Sequence, residues 1–328
     1  EVISGKSTPK DLETLLQLNY LYFTNIKKDE KSYTSLMTML ETMLKNQSIS
    51  PDKAFSDSIK STLYAHDPRF KSFDIEDIKD VNYDRILQIA KERTANAADF
   101  TFMFVGNFDE TVLRPLIEQY IASLPASGKK ENWNKVSTYA QGKVVNKFKR
   151  KMDTPKANAY IYWFNNSTQP TLENAVKADA AGQVLSMIYL KKIREDASAA
   201  YSAGAVGFSS IGSDVPFTAL MGVCPMKPEK ADLAIKIMKD EVEGMAKAVD
   251  ADMLTKVKET MLKQADDNAK KNGYWINAIN YLDESGIDMV TDYKKIISAL
   301  TPESLAAFVK DVIIGGGNSV EVVMLPQE

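Results

Sequence analysis

Residues 190–204 carry an arginine and a tyrosine seven positions apart, separated by a turn of small residues. The segment reads Leu-Lys-Lys-Ile-Arg-Glu-Asp-Ala-Ser-Ala-Ala-Tyr-Ser-Ala-Gly, so a long helical pattern ends near Arg194 and a strand pattern begins at Tyr201. A guanidinium and a phenol held in this way can direct two hydrogen-bond donors to one point, which suits a peptide carbonyl or the oxyanion formed when it is attacked. The structural alternative is an arginine favoured by the helix dipole and a tyrosine packed on a sheet. The spacing alone leaves both interpretations open.

The chain contains one histidine and one cysteine, which restricts metal and nucleophilic chemistry. With His66 alone, neither a two-histidine zinc site nor a Cys/His cluster can form within this chain. Asp67 directly follows His66, but a serine relay needs an acid that faces the imidazole across the fold, so we interpret His66 as a loop residue. Cys224 ends an apolar stretch and is predicted to be a buried thiol. A metal enzyme built with this chain would have to take its ligands from elsewhere.

Adjacent acids and a glycine run also have structural interpretations. The acid pairs are Glu195-Asp196, Asp266-Asp267 and Asp283-Glu284. Neighbouring acids on a helix point in different directions, so we interpret these pairs as solvated faces and not as cation sites. The glycine run 315–317 precedes a strand pattern and lacks the helix N-terminus that binds phosphate, which predicts a turn.

Length and composition indicate two domains and exclude some partners. The chain has 328 residues, 44% of them hydrophobic, which is enough for more than one core. Lys and Arg number 41 against 44 Asp and Glu, and the two signs are mixed along the chain, which argues against nucleic acid as a partner. No apolar run approaches the roughly 18 residues of a membrane span, so we expect no membrane insertion. Residues 1–5 show no start methionine and no signal-peptide pattern, so we expect any targeting segment to have been removed or to lie upstream.

Hydrophobic periodicity predicts an α+β protein. The predicted helices are 8–23 with Thr8 as its cap, 109–125 with Asp109 as its cap, 172–194, 229–249, 253–270 and 302–312. The predicted strands are 100–105, 143–149, 158–164, 201–209, 217–223 and 320–325. A polar stretch at 126–132 interrupts these patterns. We therefore predict a first α+β unit at 1–126, a linker at 127–142 and a complete second unit at 143–328.

The sequence resembles itself at a fixed distance. Residues 82–107 match 301–326 without gaps at an offset of 219 (301 − 82), and Pro9 falls on Pro228 at the same offset. The match predicts a duplicated α+β unit, each copy an antiparallel-rich sheet packed against helices. The second copy begins near Lys143, which corresponds to a point about 76 residues before Glu1 (143 − 219). We therefore expect the first copy to be truncated at its amino end and the chain to be a fragment.

Several motifs together resemble a known peptidase family. Residues 105–109 read Val-Gly-Asn-Phe-Asp, and 113–125 continue as Leu-Arg-Pro-Leu-Ile-Glu-Gln-Tyr-Ile-Ala-Ser-Leu-Pro. This strand-turn-helix resembles the end of a domain in pitrilysin/insulinase-type zinc metallopeptidases, which share their fold with mitochondrial processing peptidases. The Arg194 to Tyr201 segment resembles the Arg/Tyr motif of the family's carboxy-terminal half, and 272–275 and 301–303 continue the likeness in order. The chain is most similar to the end of domain three and all of domain four of bacterial four-domain members.

This resemblance implies a clamshell in which two halves enclose a peptide-degrading chamber. In the family, zinc is held by an H-x-x-E-H motif with a distal Glu on the amino-terminal half, so the chain is expected to bind no cofactor and to be inactive alone. Its partner would be that half of the same polypeptide, or a separate zinc-binding subunit, and its substrates would be peptides. Arg194 and Tyr201 would hold the scissile carbonyl. The resemblance also favours a periplasmic or cell-envelope location.

Two further points qualify what the resemblance implies. The family usually has Leu-Gly where this chain has Ala197-Ser198, and without glycine a positive-φ backbone is less accessible. We therefore expect the approach of Tyr201 to the zinc to differ from that in the family. A non-catalytic peptide-binding or scaffold homologue is the alternative function. An independent enzyme that works through serine or acidic residues lacks a base.

Overall fold

The computed structural model describes residues 2–132, 134–210 and 214–327. The chain forms two compact units, of which the first comprises Glu1–Ser48 and Phe73–Asn134 and the second comprises Ile49–Ser72 and Lys135–Glu328. The segment Ile49–Ser72 belongs to the second unit by its contacts, although it precedes the linker predicted at 127–142.

The described residues contain eleven α-helices and five β-strands. The helices are α1 (Leu12–Thr24), α2 (Glu30–Ser48), α3 (Pro51–Leu63), α4 (Tyr83–Thr94), α5 (Glu110–Tyr120), α6 (Leu172–Tyr189), α7 (Ala231–Met245), α8 (Ala251–Asn268), α9 (Asn272–Ser285), α10 (Tyr293–Ala299) and α11 (Pro302–Phe308). The strands are β1 (Lys143–Arg150), β2 (Ala157–Asn165), β3 (Gly204–Ser210), β4 (Phe217–Met226) and β5 (Asn318–Pro326). Within those described residues, none of the helices combines the length and the apolar character needed to span a membrane.

The five strands form one mixed sheet in the second unit. The strand order is β1-β5-β2-β4-β3, in which β1 and β5 are parallel and the other neighbours are antiparallel. The central strands β2 and β5 are nearly continuous apolar runs, as expected for strands covered on both faces, whereas the edge strand β1 alternates exposed with half-buried residues. The α+β class is thus confirmed.

Helices cover both faces of this sheet. One core joins the strands to α6, α7, α8 and α11 and contains Leu185, Tyr189 and Met238. The other core lies under α3, where Phe55 packs with Tyr162 and Phe164. Because the first core buries small residues along most of α6, this helix lies close to the sheet.

Two glycines allow α6 to contact β3 directly. A Cβ added to Gly182 would lie 2.2 Å from the backbone nitrogen of Gly207, and a Cβ on Gly207 would lie 1.8 Å from the carbonyl oxygen of Ala178. One turn further along α6, the Ser186 hydroxyl donates to the Ala205 carbonyl (2.8 Å) and accepts from the Ala205 amide (2.7 Å). The position of α6 along β3 is therefore fixed by backbone contact.

The helices α6 and α11 both continue into π-helical segments, Leu190–Asp196 and Val309–Ile314. The predicted helices 172–194 and 302–312 are confirmed, with a last part that widens to i→i−5 hydrogen bonds, such as Ala197 N to Lys192 O (3.1 Å). Wide turns of this kind are rare and often occur at functional sites.

The first unit contains helices α1, α2, α4 and α5 and no strand among its described residues. Phe100 packs edge-on against Phe23 of α1, with ring centroids 4.8 Å apart, and Asp109 caps α5 as predicted by accepting from the Thr111 amide (2.8 Å). The predicted strand 100–105 is wrong, because a strand requires a partner and no second strand lies beside this segment in the described part of the unit.

We expect Gly182→Ala to lower the free energy of unfolding by about 2 kcal/mol, because the added Cβ collides with the β3 backbone even though alanine favours the helix by about 1 kcal/mol. Urea denaturation of the 328-residue chain measures the change. Gly273→Ala is the matched control, since its Cβ would meet nothing within 4 Å. Equal stability of the two variants would contradict the close α6–β3 contact.

Cys224 lies in the core shared by the sheet and α6, and burial raises the pKa of its thiol to about 12. We expect it to be inert to a thiol reagent at pH 8, where roughly 10⁻⁴ of such a thiol is ionised, and to react with one equivalent after unfolding in urea. A full equivalent consumed within seconds by the native chain would disprove the burial.

Candidate functional site

Arg194 lies in the π-helical end of α6, on a segment that is anchored on both sides. Tyr189 and Ile193 are completely buried, and the Tyr189 hydroxyl donates to the Met238 carbonyl (2.8 Å). Lys192 forms an ion pair with Glu241 of α7 (2.6 Å). The Arg194 side chain is exposed between these anchors, so the backbone that carries it is fixed while its guanidinium stays accessible.

The turn after this segment is held to the end of β4. The Ala199 amide donates to the Ile193 carbonyl (2.9 Å), and the Ala199 carbonyl accepts from the Lys227 amide (2.9 Å). The Ala197 carbonyl accepts from the Lys230 ammonium (2.6 Å). These bonds connect the end of α6, the turn and the residues after β4 in one hydrogen-bond network.

Ser198 occupies the left-handed region at the centre of this turn, with φ of 49°. Such a conformation is favourable for glycine and costs other residues about 1–2 kcal/mol. The family resemblance implies a glycine at this position. In this chain Ser198 adopts the left-handed conformation that glycine would favour. Ala200 pairs with Met226 immediately afterwards, which directs the chain into Tyr201.

Arg194 and Tyr201, the two residues predicted from the sequence, line the same open depression of about 240 Å³. The Tyr201 side chain is 86% exposed, and Ser198, Ala200 and Lys227 complete the lining. Lys227 brings a second cationic side chain to the depression. The sequence analysis missed it, because the register that brings it opposite Ala199 is set by tertiary structure.

The local contacts oppose the structural interpretation of this pair. The carbonyls of Lys192, Ile193 and Ala197 are already satisfied by the turn and by Lys230, so Arg194 is not needed as a helix cap. Tyr201 is too exposed to be a packing residue. Within residues 2–132, 134–210 and 214–327, neither side chain has a hydrogen bond or ion pair. The depression thus offers two free donors to a ligand oxygen.

The other sequence candidates do not form a catalytic group. The Ser61 hydroxyl lies 2.8 Å from Nδ1 of His66, a local contact that the sequence analysis missed. Asp67 is engaged by Arg69 instead of His66, and these hydrogen bonds lower the pKa of the Asp67 carboxyl to about 2. A catalytic relay needs a carboxylate that accepts a hydrogen bond from the imidazole, and Asp67 does not do this. His66 lies in a turn, as predicted.

The acid pair Asp266-Asp267 and the glycine run have structural roles. Asp266 pairs with Lys294, and Asp267 pairs with Lys270 (3.0 Å). The run 315–317 forms the turn between the second π-helical segment and β5. Searched over the described chain, His, Cys, Asp and Glu form no group of three or more that could hold a metal ion. A guanidinium, a phenol and an ammonium do not fit zinc, so the depression is suited to an oxygen acceptor and not to a metal.

Curated relatives match this chain as part of a longer protein. A zinc protease PQQL-like protein of Arabidopsis thaliana is 30% identical over 116 residues, which is 35% of this chain and 12% of the relative. The probable zinc protease PqqL of Escherichia coli (strain K12) is 22% identical over 333 residues, which covers 99% of this chain and 35% of that protein. The chain therefore spans about a third or less of these relatives.

Solved structures share the fold over nearly the whole chain. The periplasmic protease PqqL from Escherichia coli superposes with a TM-score of 0.82 at 22% identity, over 98% of this chain and 36% of that one. The ferredoxin protease FusC, crystallised as a mutant in complex with Arabidopsis ferredoxin, gives 0.77 at 15% identity over 98% and 35%. Pitrilysin gives 0.66 at 13% identity over 96% and 33%.

A family model described as the peptidase M16 inactive domain matches residues 80–261, which is more than half of the chain. This range contains the π-helical segment Leu190–Asp196, the turn that follows it, and both Arg194 and Tyr201. The resemblance to pitrilysin-type peptidases is confirmed. The chain belongs to the peptidase M16 inactive-domain family.

Proposed function

We propose that this chain is the carboxy-terminal half of a zinc metalloendopeptidase of the four-domain type and forms one wall of its peptide-degrading chamber. The observation that carries the proposal is the depression lined by Arg194 and Tyr201, whose donors are free within the described residues. In this proposal the metal is held by the other half, because the described residues of this chain contain no group of His, Cys, Asp and Glu that could hold one and the donors of the depression do not fit zinc.

In this proposal the two side chains act on the scissile carbonyl. When water adds to the carbonyl carbon, the C=O electron pair moves onto the oxygen, and the Arg194 guanidinium and the Tyr201 hydroxyl donate to that oxyanion. Donors that are already oriented stabilise charge at little reorganisation cost, and the removal of one typically slows the reaction by about 10²- to 10³-fold. The hydrogen-bonded turn supplies the orientation.

The proposed partner is the amino-terminal, zinc-binding half, either in the same polypeptide or as a separate subunit. This partner is supported by the coverage of PqqL, in which a chain of this length accounts for 35% of the protein. Peptides are the proposed substrates. This proposal is supported by the FusC structure, which was solved in complex with Arabidopsis ferredoxin, a protein ligand.

We also propose that the two units are copies of one α+β unit. The helices α7, α8 and α11 begin 219, 221 and 219 residues after α1, α2 and α4 (231 − 12, 251 − 30 and 302 − 83). Pro9 and Pro228 both open a 3₁₀ turn before a helix. The caps agree as well, since Asn82 accepts from the amide three residues later (2.9 Å) and Thr301 does the same (3.1 Å).

We expect Arg194→Ala and Tyr201→Phe, each in the complete protease, to lower kcat by about 10²- to 10³-fold while zinc content is unchanged, because each removes a donor to the oxyanion. Hydrolysis of a quenched fluorescent peptide and metal analysis measure the two quantities. Lys191→Ala is the matched control, an exposed cation on the same segment.

The 328-residue chain alone is expected to cleave nothing, with or without added zinc. Unchanged turnover in both variants would contradict the assigned roles. Absence of any activity in the unmodified complete polypeptide would favour the non-catalytic alternative. Cleavage by the isolated chain would instead indicate chemistry that the depression does not account for.

Ser198 generates a separate prediction about the turn. Because its φ is 49°, we expect Ser198→Gly to hold or raise the free energy of unfolding and Ser198→Val to lower it by about 1–2 kcal/mol. Urea denaturation of both variants checks this, with Ser202→Val as the control at an exposed position whose φ is not positive. Equal stability of the Gly and Val variants would contradict the left-handed turn.

A further inference from the structure

The depression that holds Arg194 and Tyr201 carries more positive charge than a single oxyanion requires. Arg194 and Lys227 both line it, and none of its five lining residues is acidic. Lys230 adds an ammonium to the same turn, where it donates to the Ala197 carbonyl (2.6 Å). A concentration of one sign of charge favours a ligand of the opposite sign.

Three acids occur in the same segments, but they do not neutralise this charge by contact. Glu195, Asp196 and Glu229 are exposed, and none of them lines the depression. In the part of the chain that the structure describes, none of them forms an ion pair with Arg194 or Lys227. The two cations of the depression are therefore available to an anion that comes from a ligand.

The backbone of Lys227 is fixed, whereas its side chain is free. Its amide donates to the Ala199 carbonyl (2.9 Å), and its carbonyl accepts from the Lys230 amide (3.0 Å). Its side chain does not cap the short 3₁₀ helix that follows, and among the described residues its ammonium has neither a hydrogen bond nor an ion pair. The nearby Lys192, by contrast, pairs with Glu241 (2.6 Å). The charge of Lys227 thus stays available at the depression.

A carboxylate is the anion that suits this arrangement. The depression of about 240 Å³ is smaller than the roughly 300–1,000 Å³ of a site that encloses a whole small molecule, so it fits one part of a longer ligand such as a peptide. A lysine ammonium is a compact point charge with three donors, which pairs well with a carboxylate. Asp and Glu side chains and the C-terminus of a peptide are ionised at neutral pH and supply such a group.

We propose that Lys227 binds a carboxylate of the substrate close to the scissile bond, so that the protease favours an acidic residue, or a free C-terminus, at that place. This inference rests on the proposed function, in which Arg194 and Tyr201 hold the scissile carbonyl. An extended peptide advances about 3.4 Å per residue, so the residues nearest the scissile bond are those that reach the same depression. Lys227 determines specificity and takes no part in the bond-breaking step.

Hydrolysis of matched quenched fluorescent peptides by the complete protease tests this preference. One pair of peptides differs only in Glu or Gln beside the scissile bond, and a second pair differs only in a free or amidated C-terminus, which separates the two sources of the carboxylate. We expect the charged peptide of at least one pair to have a kcat/KM at least about 10-fold higher, chiefly through a lower KM. The preference should weaken as salt is added.

Substitutions of Lys227 identify the cation that is responsible. We expect Lys227→Met to abolish the preference, Lys227→Arg to retain most of it, and Lys227→Glu to favour a Lys peptide over the Glu peptide. Lys191→Met is the matched control, since Lys191 is exposed on the π-helical segment but does not line the depression. The ratio of kcat/KM for two peptides does not depend on the fraction of enzyme that is folded, so a loss of stability does not imitate the effect.

Three results would overturn the proposal. If the unsubstituted protease shows no preference within either pair, or if Lys227→Met leaves the preference unchanged, Lys227 does not bind a carboxylate of the substrate. If Lys227→Met slows the hydrolysis of all peptides by the same factor, Lys227 donates to the oxyanion instead.

A binding measurement keeps this test separate from the proposed function. With zinc removed by a chelator, fluorescence anisotropy of labelled peptide pairs should show the same difference of at least about 10-fold in Kd without any cleavage. Unchanged turnover of Arg194→Ala would contradict the proposed catalytic role and leave this difference in affinity intact. Equal Kd values within both pairs, in a protease that still depends on Arg194, would contradict only the role of Lys227.

Discussion

The direct contact between α6 and β3 is the constraint on which the candidate site depends. Gly182 and Gly207 let the two backbones approach until no side chain fits between them, and Ser186 bonds to β3 one turn later. A helix held in this way cannot slide or rotate, so the position at which it ends is fixed relative to the sheet. The spacing between Arg194 and Tyr201 across the turn follows from that end point and not from any contact between the two side chains.

The backbone around Arg194 and Tyr201 is held by hydrogen bonds, whereas their side chains are exposed and available to bind a ligand. The carbonyls of Lys192, Ile193 and Ala197 have partners other than Arg194, and Tyr201 is exposed. A donor that faces water contributes little, since water competes for every hydrogen bond, whereas the same donor in a site that excludes water interacts strongly with developing charge. The arrangement is therefore understandable if the depression forms one side of a chamber that is completed by another part of the protein.

The sequence predicted those features that depend on local pattern. Periodicity located α6 and the strands of the second unit, and the spacing in 190–204 selected the two residues that share the depression. The sequence could not predict features that depend on tertiary register, such as the approach of Lys227 to Ala199, the widening of α6 into a π-helix, or a serine in the left-handed region. The predicted strand at 100–105 was wrong for the same reason. β propensity depends on the residues of the segment itself, whereas a strand also needs a neighbouring strand to pair with, and the described part of this unit contains none.

The central claim is that Arg194 and Tyr201 bind the oxyanion of peptide hydrolysis. The most direct test is a crystal structure of the complete protease with a phosphinic peptide, whose phosphinate oxygen has the charge and geometry of that oxyanion. The account predicts that a guanidinium nitrogen of Arg194 and the hydroxyl of Tyr201 both lie about 2.7–3.1 Å from that oxygen. An inhibitor bound in the chamber with both side chains beyond hydrogen-bond distance of it would contradict the account.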